Sequence, residues 1–92
     1  MAVITDRIRE HLVEAFRASA PGVQSRLERL PVGAGVDPER LHAGVLIAAR
    51  GNLSLFDDAI EHARDDWRDL LDRANLADAD WPDRIDAQFG RA

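Results

Sequence analysis

Cysteine, lysine and tyrosine are absent from this chain of 92 residues, and only four of its side chains carry a hydroxyl group. Without a thiol there is no cysteine nucleophile, thiolate metal site or disulfide, and without lysine there is no Schiff base. The hydroxyl groups belong to Thr5, Ser19, Ser25 and Ser54, of which at least two are expected to cap helices. Because no nucleophile has an evident base beside it, we expect a protein that is not an enzyme.

Long apolar runs are also missing. The longest, residues 43–49, has seven residues, whereas a helix that spans a bilayer needs roughly 20. Acidic and basic side chains interrupt the first part of the chain, so we expect no cleaved secretory signal. A cytoplasmic location is the resulting prediction.

Charge excludes a further class of partners. The chain has 17 acidic residues against 12 arginines, a net charge of −5, which is the wrong sign for phosphates or an anionic membrane surface. The two helices predicted on either side of Gly51 have the order of a helix-turn-helix, but the second is strongly acidic. We therefore expect neither a nucleic acid nor a membrane as partner.

Apolar residues recur at helical spacing along the chain, and no segment alternates like a strand. The pattern predicts helices at about residues 6–19, 21–30, 38–50 and 55–74, with a short last helix that closes at Gly90. Glycine and proline separate these segments without forming a long linker. The sequence thus predicts one domain, residues 1–92, with the all-α fold of a compact bundle of four to five helices.

Several residues mark where these helices begin and end. Asp37 is placed to cap the third helix, and Gly51 to end it in a left-handed conformation. Ser54 with Asp57 resembles a capping box that opens the fourth helix. Asn75 is the predicted left-handed residue at its end.

The third helix is apolar around nearly its whole circumference over residues 43–49. A helix of this kind is stable in water only where several neighbours or a second subunit cover it. We therefore predict that it is the central helix, covered by its neighbours or by a second copy of the chain in a homodimer that completes the bundle.

The two tryptophans lie on apolar stripes, and we predict that Trp67 and Trp81 pack the end of the fourth helix against the last helix. The alternative is that one of them, with Arg64 or Arg68 nearby, anchors a partner, because tryptophan and arginine are over-represented at interface hot spots. The remaining outer face of the fourth helix is acidic and typical of a solvated surface with weak ion pairs.

Part of this region resembles a known group of sequences. The segments Gly51-Asn52-Leu53 and Asp66-Trp67-Arg68-Asp69-Leu70-Leu71 are similar to a G-[DN]-L helix start and a D-[WY]-R-D-[VL]-L signature found in small uncharacterised bacterial proteins. The resemblance covers about a third of the chain. That group has no established activity, so it implies no substrate, cofactor or catalytic residue.

A metal or small-molecule site is the second hypothesis for the fourth helix. His62, Asp66 and Asp69 share one side of it at positions that could ligate a divalent ion. Asp66 falls near the edge of the apolar arc, where it either accepts hydrogen bonds from an indole, an arginine or a neighbouring helix N-terminus, or faces a ligand. Of the other histidines, His11 is predicted at the surface and His42 semi-buried with its hydrogen bonds satisfied.

The leading hypothesis is a small protein-interaction module or accessory subunit without catalytic activity, cofactor or metal. Outward-facing residues of the signature are not dictated by core packing, which makes them the candidates for contact with a partner. The predicted partner-binding residues are Arg64, Asp65, Trp67, Arg68 and Asp69.

Overall fold

The computed structural model describes residues 3–91, and six α-helices and no strand lie within that range. The helices are α1 (Asp6–Phe16), α2 (Ala20–Arg29), α3 (Pro38–Ala49), α4 (Leu53–Asp65), α5 (Trp67–Arg73) and α6 (Trp81–Phe89), and a 3-10 turn over Arg17–Ser19 joins α1 to α2. The predicted all-α bundle is confirmed. One boundary was wrong, because the predicted fourth helix is two helices, α4 and α5, which are separated at Asp66.

The first predicted helix is also shorter than expected. Regular α-helix ends at Phe16, because Arg17 has a positive φ of 50° that an α-helix cannot continue.

Within residues 3–91, no helix is long and apolar enough to cross a membrane.

Helix α3 begins and ends where the sequence predicts. The Asp37 carboxylate accepts hydrogen bonds from the backbone N–H groups of Glu39, at 2.8 Å, and Arg40, at 3.3 Å. At the other end both Arg50 and Gly51 have positive φ, 51° and 71°. The expected left-handed exit is therefore confirmed at Gly51 and begins one residue earlier.

The start of α4 corrects a prediction. The cap is Asn52, whose side chain accepts a hydrogen bond from the Leu55 N–H at 3.0 Å, so Ser54 lies inside the helix and forms no capping box. At the end of α5, Asn75 does take the predicted left-handed conformation, with φ 66°. The N–H of Leu76 then donates to the Leu71 carbonyl at 2.8 Å and turns the chain back toward the core.

Helix α3 occupies the centre of the bundle. Its residues 41–46, 48 and 49 are buried, and α1, α4, α5 and α6 all contact it. At Gly44 the approach of α5 is close, since a Cβ added there would lie 3.1 Å from methyl carbons of both Leu70 and Leu71. The chain's own helices cover the apolar surface that suggested a second subunit, so α3 does not require one, and a homodimer stays a prediction.

An ion-pair network ties the two ends of the described chain to α3. The Arg7 guanidinium donates to Glu39 at 2.6 Å, to Asp86 at 2.6 Å and to the Gly90 carbonyl at 2.8 Å. Thr5 occupies the N-cap position of α1, but its hydroxyl makes no capping hydrogen bond and donates to Glu39 instead. These bonds raise the pKa of Arg7 and lower that of Glu39, which means that both charged forms are stabilised in the fold.

His42 is a buried polar residue without a hydrogen bond. Its side chain is fully buried in α3, and within residues 3–91 neither ring nitrogen has a hydrogen-bond partner, so the prediction of a semi-buried, satisfied histidine was wrong. Burial lowers the pKa of His42, although the Leu27 backbone and the nearby acids Asp37, Glu28 and Glu39 act in the opposite direction. The neutral ring is therefore the form that the fold accommodates.

Replacing Arg7 by Met is expected to lower the free energy of unfolding by about 1–3 kcal/mol, because the Glu39 and Asp86 carboxylates lose their partner. Arg9→Met is the matched control. Arg9 pairs with Asp6 at 46% and 91% side-chain exposure, against 14% and 16% for Arg7 and Glu39, so its loss should cost less than about 1 kcal/mol. Urea unfolding measures both, and equal losses would contradict the assigned role of Arg7.

Replacing His42 by Leu is expected to leave stability unchanged or to raise it by about 1–2 kcal/mol at neutral pH, because two unpaired nitrogens leave the core. On acidification below the ordinary value of 6.5, the unfolded chain takes up a proton that the folded ring resists. Wild-type stability should therefore fall relative to the variant by up to about 1.4 kcal/mol per pH unit. Unfolding curves with parallel pH dependence in the two proteins would show that His42 is not the group responsible.

Candidate functional site

A surface hollow of about 320 Å³ lies where α3, α5 and the segment after α5 meet. Its lining consists of Arg40 from α3, Trp67, Arg68 and Leu71 from α5, and Ala77 beyond α5. Two of these, Trp67 and Arg68, belong to the predicted partner-binding set. The hollow therefore combines two cations, an aromatic face and an aliphatic floor, with no carboxylate in its lining.

The break at Asp66 positions Trp67 and Arg68 as the first residues of α5. Asp66 has an extended backbone, φ −153° and ψ 88°, and its carboxylate accepts a hydrogen bond from the Asp69 N–H at 3.2 Å. Asp66 thus bonds to the N-terminus of the helix that it opens, rather than to that of a neighbouring helix as predicted. Its predicted position at the edge of the buried arc was wrong, because Asp66 is exposed and caps α5.

Each arginine of the hollow stacks on a tryptophan. The guanidinium carbon of Arg68 lies 4.8 Å from the Trp67 ring centroid, and that of Arg40 lies 5.2 Å from the Trp81 centroid. Arg40 is further fixed by its Nε–H, which donates to the Leu76 carbonyl at 2.8 Å. A cation held over an aromatic ring is attracted electrostatically, and the attraction does not use up the guanidinium's hydrogen-bond donors.

The absence of a side chain at Gly33 determines the position of the Trp67 indole. A Cβ added at Gly33 would lie 3.1 Å from Nε1 of the indole, so the loop between α2 and α3 approaches the ring more closely than a side chain at that position would allow. Trp67 is only partly exposed as a result. Both tryptophans are partly buried against the core, Trp67 beside Gly33 and Trp81 beside Arg40 of α3, and the prediction that they pack the end of the fourth helix against the last helix stays a prediction.

The structure separates the predicted partner-binding residues. Trp67 and Arg68 share the hollow, whereas Asp69 accepts a contact from His62, Nε2 to Oδ2 at 2.8 Å. Arg64 and Asp65 are exposed at the end of α4, outside the lining of the hollow.

Arg40 is the residue that sequence reasoning missed. Its only sequence signal is a basic side chain next to the acidic Glu39 in the first part of α3. Its neighbours in the hollow lie on α5 and beyond, so its position there becomes visible only in the folded structure.

The candidate metal ligands are engaged with one another or with neighbouring side chains. Arg73 contacts His62 Nδ1 at 3.3 Å and donates to Asp58 at 3.1 Å. If Nδ1 accepts from Arg73, the ring hydrogen lies on Nε2 and is donated to Asp69. Asp66 does not join this chain of contacts, and across residues 3–91 no three His, Cys, Asp or Glu side chains cluster closely enough to hold a metal ion.

His11 differs from its predicted surface position. It is half-buried and packs on Phe89 of α6, with ring centroids 4.5 Å apart. Burial lowers its pKa, and Glu14 opposes that shift. The contact holds α1 to α6, so His11 has a packing partner that its own helix does not reveal.

No family model, curated protein or solved structure matches the chain. The resemblance to small bacterial proteins with a D-[WY]-R-D-[VL]-L signature stays a prediction. The proposed function therefore rests on the residues that line the hollow.

Gly33→Ala is expected to displace the Trp67 indole, because the added methyl group needs space that Nε1 occupies. The indole N–H resonance of Trp67 should shift, while that of Trp81 stays near its wild-type position. Gly22→Ala is the control, since a Cβ at Gly22 meets no atom within 4 Å and alanine favours the helix by about 1 kcal/mol. An unchanged Trp67 resonance in Gly33→Ala would contradict the described contact.

Proposed function

We propose that this protein is a protein-interaction module without catalytic activity, and that its contact surface is centred on Trp67 and Arg68. The observation that carries the proposal is the hollow in which a partly exposed indole and a stacked arginine lie beside an aliphatic floor. Tryptophan and arginine contribute most often to interface hot spots, and they do so beside pockets that exclude water.

The energetics of the hollow support binding to a partner. Arg68 is stacked and Arg40 is both stacked and hydrogen-bonded, so less side-chain freedom is lost when a partner binds. An exposed arginine that is free to rotate would lose more. The exposed acids on α5, such as Asp72, lie outside the lining and suit the polar rim that surrounds an interface core.

The ligand-binding alternative has less support. It required Asp66 to face inward with His62 alongside, whereas Asp66 is exposed and its carboxylate bonds to the start of α5. No observation within residues 3–91 favours a metal or an enclosed small-molecule site at these residues. We therefore propose the interaction module alone.

The proposal predicts that charge reversal at Arg68 removes a partner that charge reversal at Arg64 leaves bound. Tagged wild type, Arg68→Glu and Arg64→Glu are used to capture proteins from an extract of the cells that make this chain, and quantitative mass spectrometry compares the yields. A partner should fall at least about tenfold with Arg68→Glu alone, equivalent to about 1.4 kcal/mol of binding free energy.

Arg64 is a stringent control because it is exposed on the neighbouring helix and lies outside the hollow. Circular dichroism of each variant establishes that the fold is retained. Partners that respond equally to both variants would move the contact surface away from the hollow, and an absence of any specific partner would overturn the proposed function.

A further inference from the structure

We propose that the hollow binds an acidic peptide segment, with a side-chain carboxylate held by Arg40 and Arg68 and an adjacent apolar side chain packed on the Trp67 ring. This inference rests on the proposed function and specifies the chemistry of the partner. It follows from the guanidinium hydrogen-bond donors, the apolar surface of the hollow and the charge of the chain.

The donors match a carboxylate. The guanidinium carbons of Arg68 and Arg40 lie over the Trp67 and Trp81 rings respectively, and the Leu76 carbonyl accepts the Nε–H of Arg40. The terminal nitrogens of both guanidinium groups make no hydrogen bond or ion pair with any residue in the range 3–91. Guanidinium edges of this kind bind carboxylates with two parallel N–H···O bonds.

Three other hollows contain arginine, and none of them combines two unpaired arginines. In the hollow between α2 and α4, Arg26 is paired with Asp57, which lies in the same lining. In the hollow beside Ile47, Arg73 is paired with Asp58. The unpaired arginine of these other hollows, Arg50, stands without a second unpaired arginine in its lining, whereas Arg40 and Arg68 together present two cations whose terminal nitrogens are free within residues 3–91.

The apolar surface of the hollow favours an apolar side chain next to the carboxylate of the bound peptide. The partly exposed Trp67 ring supplies this apolar surface, because Leu71 beneath it is only 2% exposed and has almost no area left to cover. An aliphatic or aromatic side chain that covers this surface would gain roughly 25 cal/mol per Å² of apolar area removed from water. A free inorganic anion would leave that surface wet, so the occupant is a peptide rather than a small ion.

The overall charge limits how acidic the peptide can be. The chain carries a net charge of −5, and α5 itself has exposed acids at Asp69 and Asp72. These repel a long run of carboxylates, although at physiological ionic strength their effect decays over about 8 Å. The segment that fits best has one or two carboxylates flanked by apolar residues.

Selection from a phage library of random dodecapeptides on the immobilised protein tests the inference. The enriched peptides should share Asp or Glu next to an apolar residue. For the tightest peptide, Kd is then measured by fluorescence anisotropy against wild type, Arg68→Gln, Arg40→Lys and the control Arg64→Gln. We expect Arg68→Gln and Arg40→Lys each to weaken binding by at least about tenfold and Arg64→Gln by less than about twofold.

Arg40→Lys keeps the positive charge and removes the planar donor edge, so it tests the carboxylate geometry without creating a neutral residue beside Trp81. A double-mutant cycle completes the test: replacing the peptide's acid by its amide should weaken binding to wild type and have little further effect on Arg68→Gln. Enrichment of peptides without an acid, no enrichment at all, or additive losses in the cycle would overturn the inference.

The experiments distinguish a wrong partner chemistry from a wrong contact surface. A cellular partner that depends on Arg68, together with peptides that lack carboxylates, would leave the interaction module standing with a different partner chemistry. Partners that bind independently of Arg68 would instead show that the hollow is not the contact surface.

Discussion

The contact between α3 and α5 at Gly44 is the constraint on which the rest of the structure depends. Helix α3 is apolar on almost all sides, so it is stable in water only while other helices cover it. The absence of a side chain at Gly44 lets Leu70 and Leu71 approach its backbone, where a Cβ would lie 3.1 Å from each. Through that contact α5 completes the cover over α3, and the chain buries its most apolar helix without a second subunit.

The same contact places the candidate binding surface. With Leu70 and Leu71 against α3, the first turn of α5 projects Trp67 and Arg68 beside Arg40, which α3 supplies. The Asp66 cap allows this by ending α4 and restarting the chain in a new helix. The cations of the hollow are thus a consequence of how the core packs, and they occur on a protein whose net charge has the opposite sign.

Sequence reasoning could predict the elements because their determinants are local. Asp37 before a proline and Gly51 and Asn75 past helix ends act through their own backbone or that of close neighbours. The break at Asp66 escaped prediction because the three-and-four spacing of apolar residues persists across it. Periodicity reports which face is buried, and a kinked pair of helices buries the same face as one straight helix.

Only part of the candidate site could be predicted from the sequence. Trp67 and Arg68 are adjacent in the chain, and their residue types indicate contact with a partner. Arg40 joins them through tertiary packing, and the Gly33 approach and the unpaired ring of His42 arise in the same way. No spacing rule connects residues on different helices, because loop geometry and core packing decide which of them meet.

The most direct test of the account is a nuclear Overhauser spectrum of the methyl-labelled protein in solution. The account predicts cross-peaks from the α-protons of Gly44 to methyl groups of both Leu70 and Leu71, because α5 packs directly on the α3 backbone. Absence of those cross-peaks, with assigned resonances for all three residues, would show that α5 is not seated on α3 and would contradict both the fold and the position of the hollow.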